Sequence, residues 1–122
     1  MHIPVAKDEE REGPVPTDWR SALKVIADAL TFGIPPSGDG VREMTPEALR
    51  ISLENIADYP DHLGPLSEST WDTSVYIWMR TYWDALIDLS AADGGRTDLV
   101  LQFRIYEAGD QVEFAPQLIY VP

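Results

Sequence analysis

Two hydrophobic periods divide this chain. From residue 17 to about 32, Trp19, Leu23, Ile26, Ala27 and Leu30 recur at helical spacing until Gly33, and Thr17 offers a capping hydroxyl ahead of Asp18. Gly33, Pro35, Pro36, Gly38 and Gly40 make the following stretch a loop. Thr45, Pro46 and Glu47 then supply a cap, a proline suited to the first helical position and an acid at the positive end of the helix dipole. A second helix follows to about Ala57, with Leu49, Leu53 and Ile56 on one stripe and Arg50 paired with Glu54 outside.

Beyond Pro60 the period shortens to two. In residues 82–89, Trp83, Ala85, Ile87 and Leu89 alternate with Tyr82, Asp84, Leu86 and Asp88; residues 98–107 and 111–121 repeat this division. The connections AADGGR and EAGD are short and rich in Gly and Asp, as hairpin loops are. Pro116 lacks a ladder donor, which places an edge or a bulge there. The apolar run within 71–79 reads as a strand or extended lead into the meander. The expectation is an α+β domain with two N-terminal helices packed on a C-terminal antiparallel meander of three to four strands. Residues 1–16 mix charges and prolines without a period and read as a flexible, draped arm, leaving 17–122 as one domain.

Size and composition narrow the chemistry. A chain of 122 residues is one domain with room for a modest core, and the absence of cysteine removes disulfides, thiolate metal sites and thiol nucleophiles. No apolar run is long enough to span a membrane, and MHIPVAKDEEREGPVP lacks the core of a signal peptide, so the expected location is the cytoplasm. Twenty-one acids against nine bases leave a net charge of −12. Residues 1–53 carry nine acids and six bases, residues 54–122 twelve and three. Nucleic acid is then an unsuitable ligand, whereas a basic protein would be steered toward the surface.

The catalytic inventory is thin. No GxSxG, SxxK or HExxH occurs, and SGDG at 37–40 is a turn without the context of a phosphate loop. His2 lies in the arm; His62 with Asp58 and Asp61 forms a metal-like trio that Pro60 interrupts, and reads as a solvated acidic loop. Asp84 and Asp88 share one strand face at about 13 Å, too far apart for a glycosidase pair. A cross-strand ion pair with Arg104 accounts for Asp84. No metal or cofactor is expected, and an enzyme is the weaker reading.

Recognition fits better. Trp71, Tyr76, Trp78, Tyr82 and Trp83 fall within thirteen residues, and residues 51–79 contain no lysine or arginine while carrying Glu54, Asp58, Asp61, Glu68 and Asp72. The aromatic cluster is either core on both strand faces or an interface anchor ringed by Asp72, Asp84 and Asp88. The candidate partner-binding residues are Glu54, Asp58, Asp61, Glu68, Asp72, Trp83, Asp84 and Asp88.

WDTSVYIWM (71–79), YWDALIDL (82–89), RTDLVL (96–101) and LIYVP (118–122) resemble a small bacterial domain family of unknown function, over roughly residues 17–122. The Trp71-Asp72 and Trp83-Asp84 pairs are its most specific part. That resemblance implies a bacterial α+β domain and transfers no catalytic residue. In size, acidity and inventory the chain is also similar, as a class, to bacterial immunity proteins, which block a toxin without turnover. The leading expectation is an acidic protein-binding domain, an immunity protein for a basic toxin. The alternatives are a structural or regulatory module acting through a homodimer or assembly interface, and a small enzyme or ligand-binding domain with a pocket between helices and sheet near Tyr82, Asp84, Arg104 and Tyr106.

Overall fold

A computed structural model describes residues 5–122; the first four residues of the expected arm, His2 among them, lie outside the described residues. Helices form at Thr17–Thr31 (α1) and Pro46–Asp58 (α2), and their N-termini differ. At α2 the Ala48 N–H donates to Thr45 Oγ1 at 3.1 Å and Pro46 opens the first turn, as the spacing predicts. At α1 the cap position is Pro16, and no side chain closes it. The Pro16 carbonyl accepts from Trp19 N–H at 3.0 Å, which makes Thr17 the first helical residue and removes its hydroxyl from the expected capping role.

The strands are Gly13–Pro14 (β1), Val75–Trp78 (β2), Trp83–Ser90 (β3), Arg96–Ala108 (β4) and Gln111–Tyr120 (β5), in one antiparallel sheet ordered β1-β2-β3-β4-β5. The domain is α+β, with five strands in place of the expected three to four. The addition comes from the arm, where Gly13 and Pro14 pair with Tyr76 and Val75; two residues are too few for a period to register. Residues 71–79 divide, because Glu68–Asp72 forms a 3-10 helix and the strand begins only at Val75. On β5, Gln102 faces Leu118 while Phe103 faces Pro116, so Gln117 is the extra residue of a bulge beside the proline.

Alternation gives the sheet two unlike faces. Trp83, Ala85, Ile87 and Leu89 of β3, Leu99, Leu101, Phe103 and Ile105 of β4, and Phe114 and Ile119 of β5 are buried. They share one cluster with Trp19, Leu23, Ile26, Ala27 and Leu30 of α1 and with Trp71 of the 3-10 helix, and Leu49 and Ile56 of α2 pack against it. The Trp19 ring stands edge-on to Trp83 at 5.3 Å, Tyr76 at 5.6 Å and Phe114 at 6.3 Å. Full burial of a Leu, Ile or Phe side chain contributes roughly 1.5–3 kcal/mol, so this face dominates the stability. The alternate residues Val75, Ile77, Tyr82, Asp84, Leu86, Asp88, Gln102, Arg104, Tyr106 and Leu118 are partly exposed and belong to no such cluster, although Val100 and Ala115 on the same face are buried.

The β5 edge and the end of β3 that β2 leaves uncovered are bonded by side chains that imitate a neighbouring strand. At β5, Ser52 Oγ accepts from Ile119 N–H at 3.0 Å and Asn55 Nδ2 donates to Ile119 O at 2.8 Å, so α2 satisfies the outer backbone groups. Residues 40–42 bond Phe114 farther along the same edge, with Phe114 N–H to Gly40 O at 2.7 Å and Arg42 N–H to Phe114 O at 2.9 Å. At β3, beyond the end of β2, Ser74 Oγ accepts from Asp88 N–H at 3.0 Å and Thr70 Oγ1 donates to Asp88 O at 2.6 Å. Thr70 has thereby committed its one proton, so the 2.9 Å bond between the two hydroxyls runs from Ser74 to Thr70. An edge of this kind offers no template for another strand.

Candidate functional site

The sequence-predicted residues fall into distinct settings. Trp83 is a correction: it is 2% exposed, its ring lies 4.7 Å from Trp78 as well as against Trp19, and its Nε1 donates to Ala6 O at 2.9 Å. Alternation sends Trp83 to the buried face of the sheet, so it belongs to the core cluster and not to an exposed aromatic surface. Glu54 is exposed on α2 and paired with Arg50 at 2.9 Å. Asp58, Asp61, Glu68 and Asp72 are exposed. Asp84 and Asp88 point from β3 to the face without helices, where Asp84 Oδ1 accepts from Gln102 Nε2 at 3.0 Å and Asp88 Oδ2 accepts from Thr73 Oγ1. Among the described residues, Glu54 alone of these seven acids has a basic group within 4.0 Å.

The chain brings several of the acids to one end of the sheet. The loop after α2 lies along the turn between β3 and β4: Leu63 bridges Ala91, Gly64 N–H donates to Ser90 O at 3.0 Å, and Ala92 N–H donates to His62 O at 2.8 Å. A Cβ on Gly64 would stand 2.9 Å from Ala92 Cα and 3.1 Å from Ala91 O, so only glycine permits this approach. The Tyr59 hydroxyl accepts from Asp98 N–H at 2.9 Å and fixes the other side. Asp58 and Asp61 thus join Asp93 and Asp98, all four exposed and without an ion pair among the described residues. Nearby, Asp72 and Asp88 line a small cavity of about 240 Å³ that also contains Arg96. Sequence reading left Asp93, in the hairpin loop that it identified, and Asp98, at the start of the next strand, out of the candidate set.

The second surface is the open sheet face. Asp84 and Arg104 are register partners on β3 and β4, but the expected ion pair is absent: no Asp84 oxygen lies within 4.0 Å of Arg104. The guanidinium instead lies 4.8 Å from the Tyr82 ring centre, Tyr82 leans on Tyr106 at 5.6 Å, and Arg42 covers Tyr106 at 4.0 Å. Arg104 Nε is desolvated and meets no acceptor among the described residues. The Tyr106 hydroxyl, followed by Tyr82 and Asp84, raises the Arg104 pKa against the opposing effect of partial burial. Tyr82, Asp84, Arg104 and Tyr106 therefore do not line a pocket between helices and sheet. The large cavity, about 790 Å³, lies on the α1 side and is lined by Trp19, Tyr76 and Phe114 together with Asp18, Asp39 and Asp110.

Residues 37–122, from the loop before α2 to the last residue, match a described family. The chain belongs to DUF7668, a domain family of unknown function. The match includes α2, the 3-10 helix and β2 to β5, the elements that carry the acidic end and the open face; α1, which completes the core, precedes it. No curated protein and no solved structure matches the chain. Among the described residues of this DUF7668 chain, no group of three or more His, Cys, Asp or Glu is placed to hold a metal ion, and no helix is long and apolar enough to cross a membrane. What the arrangement offers chemically is a cluster of exposed carboxylates on one end and, on one face, an arginine among tyrosines beside an aspartate with which it forms no ion pair.

Proposed function

We propose that this DUF7668 chain is a non-catalytic binding domain for a basic protein and, more narrowly, an immunity protein that neutralises a basic bacterial toxin in the cytoplasm. The observation that carries the reading is the end of the sheet where bonds between the loop after α2 and the β3–β4 hairpin bring Asp58, Asp61, Asp93 and Asp98 together, exposed and without an ion pair among the described residues. The bonded backbone beneath them lowers the ordering cost of association. Against a nuclease they stand where nucleic-acid phosphates would, and inhibition is steric and electrostatic. Glu54, Glu68, Asp72, Asp84 and Asp88 extend the field that steers the encounter. The net charge of −12 acts in the same direction.

Affinity capture from the native host lysate at low and high salt tests this reading. A stoichiometric basic protein is expected, lost at high salt, whose toxicity co-expression of this chain suppresses. Its association rate should fall about tenfold or more with added salt while dissociation changes little. A captured partner that is acidic, or one whose association ignores salt, contradicts the proposal. The homodimer reading is favoured by a different observation, the open sheet face.

A further inference from the structure

We infer that the open face of the sheet is the interface of a two-fold homodimer in which Arg104 of each protomer pairs with the partner's Asp84. Three observations converge on a second copy as the occupant. First, the two charges are neighbours on adjacent strands and do not pair with one another. Asp84 holds one amide of Gln102, leaving most of its acceptor capacity unused, and Arg104 keeps a desolvated Nε without an acceptor among the described residues. An isologous interface gives the Asp84 carboxylate a cation and the terminal guanidinium nitrogens of Arg104 an anion, while Nε stays closed off within its own protomer. A dyad parallel to the strands, between β3 and β4, lays β4 of one copy over β3 of the other and brings each Arg104 over an Asp84.

Second, the face is the place where so acidic a chain can meet itself. The protomer carries −12, yet this face presents Arg104 among Asp84 and Asp88, with Arg42 and Glu113 paired at its margin. Around the charges lie Val75, Ile77, Leu86 and Leu118 with Tyr82 and Tyr106, the mixture of aliphatic and tyrosine side chains that interface cores favour.

Third, the alternative way for sheets to associate is restricted. Ser52 and Asn55 bond the β5 edge, Thr70 and Ser74 bond the end of β3 that β2 leaves uncovered, and the β1 edge is two residues long, so the larger contact is face to face, at a sheet separation of about 10 Å that Arg and Asp side chains together span. Three strands over about seven residues, with the four-residue β2 beside them, give a face of roughly 400 Å². That size belongs to a weak, reversible dimer of the low-area class.

Sedimentation equilibrium of the whole chain, from about 1 µM to 1 mM, tests the inference over the range expected of a weak interface. The unaltered chain should show a monomer–dimer equilibrium. Arg104→Asp and Asp84→Arg should each weaken dimerisation about tenfold or more by setting like charges together, and the double reversal should restore it. If a reversal unfolds the chain by circular dichroism, Arg104→Gln and Asp84→Asn should give smaller losses of about threefold. A monomer throughout the range, or a dimer that neither substitution weakens, overturns the inference.

Discussion

Phe103 and Arg104 are consecutive residues of β4, yet one lies in the core cluster and the other lies on an open face beside tyrosines. The same division separates Trp83 from Asp84 and Ile87 from Asp88. The comparison teaches that a period of two assigns alternate residues of one strand to different tasks. One face gathers apolar area and sets the stability; the other keeps charges that do little for folding. The acidic end extends that second set beyond the strands.

Substitutions can break the comparison. Phe103→Ala is expected to cost about 3–5 kcal/mol in denaturant unfolding, whereas Leu86→Ala on the open face should cost less than about 1.5 kcal/mol. Equal losses would mean that both faces are core. Next in size are the edge closures. Ser52→Ala strands the buried Ile119 N–H and should cost about 1–3 kcal/mol, and Thr70→Val should do the same to the Asp88 carbonyl. Faster hydrogen exchange of the Ile119 amide in Ser52→Ala would locate the damage, and unchanged protection would remove α2 from that role. Gly64→Ala sharpens the account of the acidic end. Its Cβ must displace the Ala91–Ala92 backbone, at a cost of about 1–2 kcal/mol, and the chemical shifts of residues 58–64 and 91–98 should move together.

Much of the fold was legible because its signals are local. The spacing of Trp19, Leu23 and Leu30, the Thr45-Pro46-Glu47 start and the alternation in 82–89 and 98–107 each reflect forces acting within a few residues. Pro116 marked its bulge for the same reason. The failures lie where long-range contacts decide. β1 exists because β2 presents an edge to it, and the edge closures by Ser52, Asn55, Thr70 and Ser74 depend on which helix lies beside which strand. Trp83 was misplaced for a more specific reason. Its aspartate neighbours suggested a surface, but those aspartates point to the opposite face. The acids at Asp58 and Asp61 were legible as charge, whereas their meeting with Asp93 and Asp98 required the close approach that Gly64 permits.

The central claim is that recognition is carried by residues that stability does not need. The most direct test is the binding of the captured basic protein to a variant in which Asp58, Asp61, Asp93 and Asp98 are all replaced by Asn, measured beside its unfolding free energy. The account predicts association slowed about tenfold or more, with stability changed by less than about 1 kcal/mol. A variant that binds as fast as the original chain would contradict it.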